Sequence, residues 1–498
     1  MNPYVIAPVI LPALLAPLIL LVIRHNLRQQ RIVSMLGLAA LWLIAMRLIA
    51  LSGSEISVYS MGNWPAPFGI VLVLDRLSAL MVGLTATLAL IVAGYAIATG
   101  WDARGRHFHA LFLFQLMGLN GAFLTGDAFN LFVFFEVLLI ASYGLMIHSG
   151  GALRLRAGVQ YMVYNLAGST LFLFALGTIY AVTGTLNMAD LAVRAAQMPA
   201  GDVGLLRVGV VLLLAVFAIK AALIPLHVWL PATYANAPAP VAALFAVMTK
   251  VGAYAILRTV TLIFPPDLAA TAGILDYILP AALITLIVGV IGSLGATTFA
   301  RMAAYATIGS MGTLLIAFGQ FTPAATAAGL YYMIHSTFAA AALFLIADLI
   351  LTRRGHTALI PAPMMQGSGL IGILFFVGAI GMAGMPPLSG FIGKLLILNA
   401  SYAAPQVWLI WAVILITSLA SLVGFARAGS LLFWKTTTDT PTPGPAQPLA
   451  PILITGALLA MMALLTVFSA PVLHFLTNTA TQLHTPAAYI AAVLGGGQ

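Results

Sequence analysis

Residues 211–258 read VLLLAVFAIKAALIPLHVWLPATYANAPAPVAALFAVMTKVGAYAILR. Two apolar segments each carry a lysine well inside them, Lys220 and Lys250, and a proline-rich break holding His227 separates them. The chain has only four lysines; the third, Lys394, lies in another proline-interrupted apolar run, and only Lys435 falls in an obvious loop. An ammonium at the middle of a bilayer costs at least ~2.5–3.5 kcal/mol on insertion scales, so it normally faces a polar or wet interior and serves a pathway. A lysine near a helix end can instead snorkel to the headgroups, but apolar residues extend on both sides of Lys220 and Lys250.

Composition sets the class. Of 498 residues, 62% are hydrophobic and only 6% charged, against roughly 25% charged in a soluble domain. This is an all-α polytopic membrane protein. The net charge of +9 is scattered among short loops and does not suggest nucleic acid. With no cysteine, disulfides, thiolate-held iron–sulfur clusters and covalent haem attachment are excluded. The sequence shows no dinucleotide fingerprint, P-loop or HExxH motif, so no cofactor or metal is expected. Met1–Ile23 has no Lys or Arg and a basic cluster follows it, the reverse of a cleaved signal peptide.

Apolar runs long enough to span ~30 Å of hydrocarbon lie near 4–23, 32–51, 70–100, 108–125, 129–148, 159–183, 205–226, 238–263, 272–295, 301–320, 324–351, 367–400, 406–433 and 450–470, fourteen in all. Arginines test the count. Arg24, Arg28 and Arg31 follow the first span, Arg104 and Arg106 the third, Arg154 and Arg156 the fifth, Arg301 the ninth, Arg353 and Arg354 the eleventh, with Arg427 and Lys435 around the end of the thirteenth. Positive loops stay cytoplasmic, so both termini are expected outside. Residues 183–204 can form a short interfacial helix with Arg194 on its polar side, and Thr436–Pro448 reads as a Pro/Thr-rich linker. No soluble domain fits, so residues 1–498 form one transmembrane domain.

Glu136, one of only two glutamates, sits about 9 Å along a helix counted from Asn130. A buried carboxylate and a buried lysine each favour the neutral form alone, and each holds the other charged when close. Glu136 beside Lys220 would therefore make either a relay or a static ion pair that fixes packing. The breaks at Pro225 and at Pro386, Pro387 and Gly390 free helical carbonyls, which a membrane tolerates where they line a cavity or find neighbours. Broken segments five spans apart are what a repeated half would give, and transporters often build ion sites there; a kink that merely helps packing is the alternative. His227 and His335 can shuttle protons near neutral pH or simply bond backbone carbonyls. His25, His107, His109 and His148 read as solvated, and Asp348, Arg47 and Arg258, near span ends, as anchors.

GDAFNLFVFFEVLLIASYGLM (126–146), the segment from Lys220 to Arg258, and GMPPLSGFIGKLLIL (384–398) resemble the antiporter-like subunits shared by respiratory complex I and the Mrp-type cation/proton antiporters. The likeness runs over nearly the whole chain, with the motifs in the family's order, and is strongest to the Mrp branch. It implies fourteen helices, two inverted five-helix repeats (spans 4–8 at about 108–263 and spans 9–13 at about 272–433), and broken seventh and twelfth helices. It also implies a midplane row of charges, with Glu136, Lys220, Lys250 and Lys394 at the family's key positions. Two departures stand out. Relatives commonly carry a lysine where HSTFAAAALF has Ala340, and two acids in WLPDAxxEAP where this chain has Ala232 and Asn236. His335 is then the titratable group nearest the gap, and water between it, Ser336 and Thr337 is expected to carry protons there.

The resemblance implies an ion-translocating subunit, not an enzyme, of a multisubunit Na+(K+)/H+ antiporter in a bacterial cell (inner) membrane. Its partners would be other membrane subunits, H+ with Na+ or K+, and lipid. A proton-pumping subunit of complex I or of a related hydrogenase is the alternative, although the complex I M-type subunit usually has glutamate where Lys394 stands. A quinone-binding or scaffolding role is a third reading; it requires ion movement to survive neutralisation of Glu136.

Overall fold

The computed structural model describes residues 3–199, 201–438 and 448–495, and the described residues are overwhelmingly helical. Of the expected linker, Thr436–Pro448, residues 439–447 lie outside the described residues. Helices α1 (Ala7–Leu21) and α2 (Leu27–Leu51) lead into a two-stranded antiparallel hairpin, β1 (Ser57–Ser60) with β2 (Val71–Leu74), then α3 (Arg76–Ala98). The third span was expected from residue 70, but 71–74 is strand. The apolar run VLVL is β-branched at alternate positions and pairs with SVYS, and Asp75 then starts the helix. Its side chain accepts from Ser78 N at 2.8 Å while Ser78 Oγ accepts from Asp75 N at 2.9 Å, a reciprocal capping box.

The first half continues through α4 (Phe108–Leu124), α5 (Ala128–Met146), α6 (Ala152–Thr183), the short α7 (Met188–Gln197), the broken pair α8 (Gly204–Lys220) and α9 (Trp229–Asn236), and α10 (Ala239–Arg258). The second half runs through α11 (Ile278–Leu294), α12 (Phe299–Phe318), α13 (Pro323–Arg354), the broken pair α14 (Ser368–Ala383) and α15 (Ser389–Ala400), and α16 (Val407–Gly429). The two halves share several devices. Helices α6 and α13 are both 32 residues long and both end on a left-handed glycine, Gly184 (φ +69°) and Gly355 (φ +79°). A lone antiparallel bridge follows each, Asn187 to Asp127 and Ala358 to Thr298, tying its exit to the start of α5 or α12. Helices α10 and α16 each finish in a five-residue π turn, Thr259–Ile263 and Ser430–Trp434.

Helices α17 (Ala450–Val467), α18 (Ser469–Leu483) and α19 (Ala487–Leu494) close the chain. The last two were not expected, because neither supplies about 20 apolar residues. Among the described residues ten helices are long and apolar enough to cross a membrane, and four shorter apolar helices, α1, α4, α14 and α15, accompany them. Helix α7 takes the place of the expected interfacial helix: Asn187 caps it, and Arg194 pairs with Asp190 at 3.0 Å and donates to Thr183 O at 2.9 Å.

Two ion pairs pin opposite ends of the bundle. Arg258 at the end of α10 grips Asp75 with both arms, Nη1 to Oδ2 at 2.6 Å and Nη2 to Oδ1 at 3.0 Å, and both residues are buried. On the arginine-bearing side, Asp102 between α3 and α4 accepts from Arg31 at 2.6 and 2.9 Å and faces His109 Nε2 at 3.1 Å. Burial pushes the Asp102 carboxyl up, but the hydrogen bonds from His109 and Arg31 outweigh it and hold it at about 2. His109 and His148 were expected to be solvated. Both are buried, and His148 Nε2 bonds Trp101 O at 2.9 Å. Each lies close in sequence to a loop arginine, which masks the fact that it points inward.

Asp75→Ala would leave the Arg258 guanidinium buried and unpaired, a cost of about 3–5 kcal/mol. A clear fall in melting temperature of the detergent-solubilised protein is expected, partly recovered when Arg258→Met is added. Unchanged melting of Asp75→Ala would show that this pair does not hold α3 to α10.

Candidate functional site

Helix α5 carries Glu136, α8 ends on Lys220, and α6 passes beside both. Asn165 and Ser169 lie four residues apart on α6 and therefore share one face; both are buried. Lys220 Nζ donates to Asn165 Oδ1 at 2.9 Å, and Ser169 Oγ donates to Glu136 Oε1. Of the two readings of this couple, the static ion pair is not seen: no ion pair joins Glu136 to Lys220 among the described residues. The acid and the base instead meet neutral polar groups one helical turn apart. Such a bridge shields each charge without locking the two together. Asn165 is itself oriented by donating from Nδ2 to Tyr161 O at 2.8 Å, and the Tyr161 hydroxyl meets Ser142 Oγ at 2.8 Å. Lys220 also stands 6.0 Å from the Phe135 ring centroid, within reach of a cation–π attraction. An internal cavity of about 10 Å³ lined by Lys220, Asn165, Tyr161 and Trp229 is roughly the space of one water molecule.

The break beyond Lys220 has a definite cause. Pro225 cannot continue the helix, and Ala222 adopts φ +52°, left-handed for a residue with a Cβ. The carbonyl of Ile219, in the last turn of α8, accepts from Ala222 N at 3.1 Å and from Trp229 Nε1 at 2.9 Å, so α9 is tied back onto the end of α8. His227 falls outside this arrangement. It lines a separate cavity of about 330 Å³ with Gln160, Asn236, Arg301 and Tyr305, and the structure does not bring it to the row of lysines.

Lys250, halfway along α10, is fully buried, and its Nζ makes no hydrogen bond to protein among the described residues. An amine with no fixed partner is not committed to a static bridge. His335 on α13 lies within electrostatic reach of both Lys250 and Lys394. It is buried, and Nδ1 faces Ser389 Oγ, at the start of α15, at 2.9 Å. Ser336 and Thr337 were expected to flank a wet site. Both hydroxyls instead bond Met333 O of their own helix, at 3.3 and 2.8 Å, the usual fate of hydroxyls inside a helix. Ala339–Ala342 are wholly buried, so the gap at Ala340 is filled by packing.

Lys394 on α15 reaches back across the second break. Its Nζ donates to Ala383 O, the last carbonyl of α14, at 2.7 Å and to Ser418 Oγ on α16 at 2.8 Å. A cation at a helix C-terminus is favoured by the aligned peptide dipoles, and Pro386 and Pro387 between the half-helices leave that carbonyl free. Gly384 makes the path, because a Cβ there would lie 2.6 Å from Lys394 Cδ. Four partners, Asn165, Ser169, Ser389 and Ser418, went unnoticed in the sequence. The signal for the first two was present, since Tyr161, Asn165 and Ser169 recur every four residues inside an apolar run.

Residues 125–420 match the family described as NADH:quinone oxidoreductase/Mrp antiporter, TM. The chain belongs to that family. Among full-length relatives, the D component of an Na(+)/H(+) antiporter from Bacillus subtilis (strain 168) is 38% identical, over 99% of this chain and 100% of the relative. The D component of a probable K(+)/H(+) antiporter from Rhizobium meliloti (strain 1021) is 37% identical over 99% and 98%. In the solved Mrp complex from Dietzia sp. DQ12-45-1b, one chain superposes with a TM-score of 0.91 at 30% identity, covering 99% of this chain and 100% of that one.

Within this antiporter family member, Gly390 controls how closely the second broken helix approaches. A Cβ there would stand 2.2 Å from Gly381 O and 2.7 Å from His335 Nε2. Gly390→Ala is therefore expected to cost about 1–3 kcal/mol through overpacking, seen as a lower melting temperature and slower ion exchange. A variant as stable and as active as the parent would mean that α15 has room to spare.

Proposed function

We propose that this chain is the ion-translocating D-type component of a multisubunit Mrp antiporter, exchanging Na+ or K+ for H+ with the help of neighbouring membrane subunits. The proposed path is the row Glu136, Lys220, Lys250, His335 and Lys394, with His227 serving a side cavity. The observation that carries this reading is the Glu136–Ser169/Asn165–Lys220 arrangement: a carboxylate and an amine that each bond a neutral group, the two groups one turn apart on α6. A proton taken at Glu136 weakens the field that holds Lys220 charged, so the two sites exchange charge through space. A static pair built for packing would close into direct contact, and Lys250 would need a fixed partner.

The paired devices of the two halves support reading them as inverted repeats, since an odd number of spans turns the second copy over. Each half then contributes one lysine at a broken helix, Lys220 or Lys394. The loop arginines support an orientation with both termini outside a bacterial inner membrane.

Glu136→Gln and Lys220→Ala are expected to abolish cation/proton exchange in vesicles, a loss of about 10²-fold or more, while the complex still assembles. Exchange near the parent rate in Glu136→Gln, with assembly intact, would refute the relay and favour a scaffolding role. Orientation is tested separately in this cysteine-free chain. A cysteine introduced at Gly355, beside Arg353 and Arg354, is expected to react only with reagent on the cytoplasmic side, and reaction only from outside would invert the map.

A further inference from the structure

One buried acid plays no part in the row. Asp348, near the end of α13, is 3% exposed, yet it lines a wide vestibule on the arginine-bearing face. This opening of about 630 Å³ is bounded by Arg154 at the start of α6, Asn236 at the end of α9, Ala242 on α10, Phe344 on α13 and Ala358 beyond α13. The Asp348 carboxylate accepts from Tyr95 Oη at 2.9 Å and from Trp101 Nε1 at 3.1 and 3.2 Å. It has no ion pair among the described residues. The charged and titratable groups around it are Tyr95 on α3, Arg104 in the α3–α4 turn, Arg154 on α6, His356 beyond α13, and Arg353 on its own helix. Arg104 is held over the Trp101 ring, 3.8 Å from its centroid, and not against the carboxylate.

Burying a carboxylate costs several kcal/mol, and here no cation in contact offsets it. If Asp348 only had to fix Tyr95 and Trp101, the carbonyl oxygen of an asparagine would accept both bonds without the charge. A charged acceptor in the wall of so wide a vestibule gains something an amide lacks: it can take a proton. The vestibule shares helix α10 with Lys250. Its inner wall at Ala242 is eight residues before Lys250 on the same helix, about 12 Å along the axis. Tyr234, Phe245 and Phe344 close that interval, with ring centroids 5.7 Å (Tyr234–Phe245) and 5.8 Å (Tyr234–Phe344) apart.

We propose that Asp348 is the proton-exchange group of this vestibule, passing protons between water on the arginine-bearing face and the buried row. In one direction the carboxylate takes a proton from hydronium, leaving a neutral carboxyl and a water molecule; in the other it returns the proton to water. The inference rests on the antiport reading above. Asp348 is not itself part of the row and acts at the row's aqueous end.

The assembled complex in vesicles tests it, with exchange followed while the pH on the arginine-bearing side is varied. Asp348→Asn keeps the acceptor for Tyr95 and Trp101 but cannot carry a proton. It is expected to slow exchange on the order of tenfold or more and to flatten the pH dependence, whereas Asp348→Glu restores both. A second arm avoids any folding defect of the asparagine variant: exchange by Ala358→Cys, compared before and after a charged methanethiosulfonate is added on that side, is expected to fall when the reagent blocks the vestibule. Parent-like rate and pH profile in Asp348→Asn, or full exchange after Ala358→Cys is modified, would overturn the proposal. Absence of exchange in the unmodified complex would overturn the antiport reading instead.

Discussion

An ammonium ion inside a bilayer needs an oxygen to face, and the architecture of this chain is arranged around supplying one. A continuous helix has none to spare, because each carbonyl is already bonded four residues on. Oxygen comes either from a polar side chain on a neighbouring helix or from a helix that has been cut. Lys220 uses the first solution, through Asn165 on α6. Lys394 uses both, through Ser418 on α16 and the Ala383 carbonyl exposed by the second break. Lys250 uses neither, and it is the lysine in the middle. In the proposed row the fixed partners thus belong to Lys220 and Lys394, and the uncommitted amine to Lys250.

Much of this was legible in the sequence. Lysines within apolar runs, Glu136 among aromatic residues and prolines near two of the lysines are conspicuous against a composition that is 6% charged. Less legible were the groups that solvate them. Serine and asparagine in a membrane helix are common and mostly bond their own backbone, as Ser336 and Thr337 do. Whether a hydroxyl points inward depends on helix rotation, which a one-dimensional pattern reports weakly unless the polar positions repeat, as on α6. The hairpin at 71–74 was missed for a related reason. A short β-branched run beside a long apolar helix reads as more helix until Asp75 and its cap are recognised.

The two halves of the chain meet the same constraint with different chemistry. Helices α6 and α13 occupy matching places with the same length, but α6 faces its lysine with an asparagine, whereas α13 carries His335 and a run of alanines. Small side chains on α13 let α10 and α15 close in around it, so the site there is built by close approach of backbones more than by extra polar groups. In a bilayer that substitution is natural, since small residues are what allow helices to pack tightly without a hydrophobic driving force.

Gly390 carries the consequence furthest. Its α-carbon is so close to both Gly381 O and the His335 ring that there is no space for even a methyl group. The imidazole bonds Ser389, the neighbouring residue at the tip of the same half-helix. The ring and the tip of the half-helix are thus joined by a hydrogen bond and by a space too small for a side chain, and the same half-helix carries Lys394 back to α14.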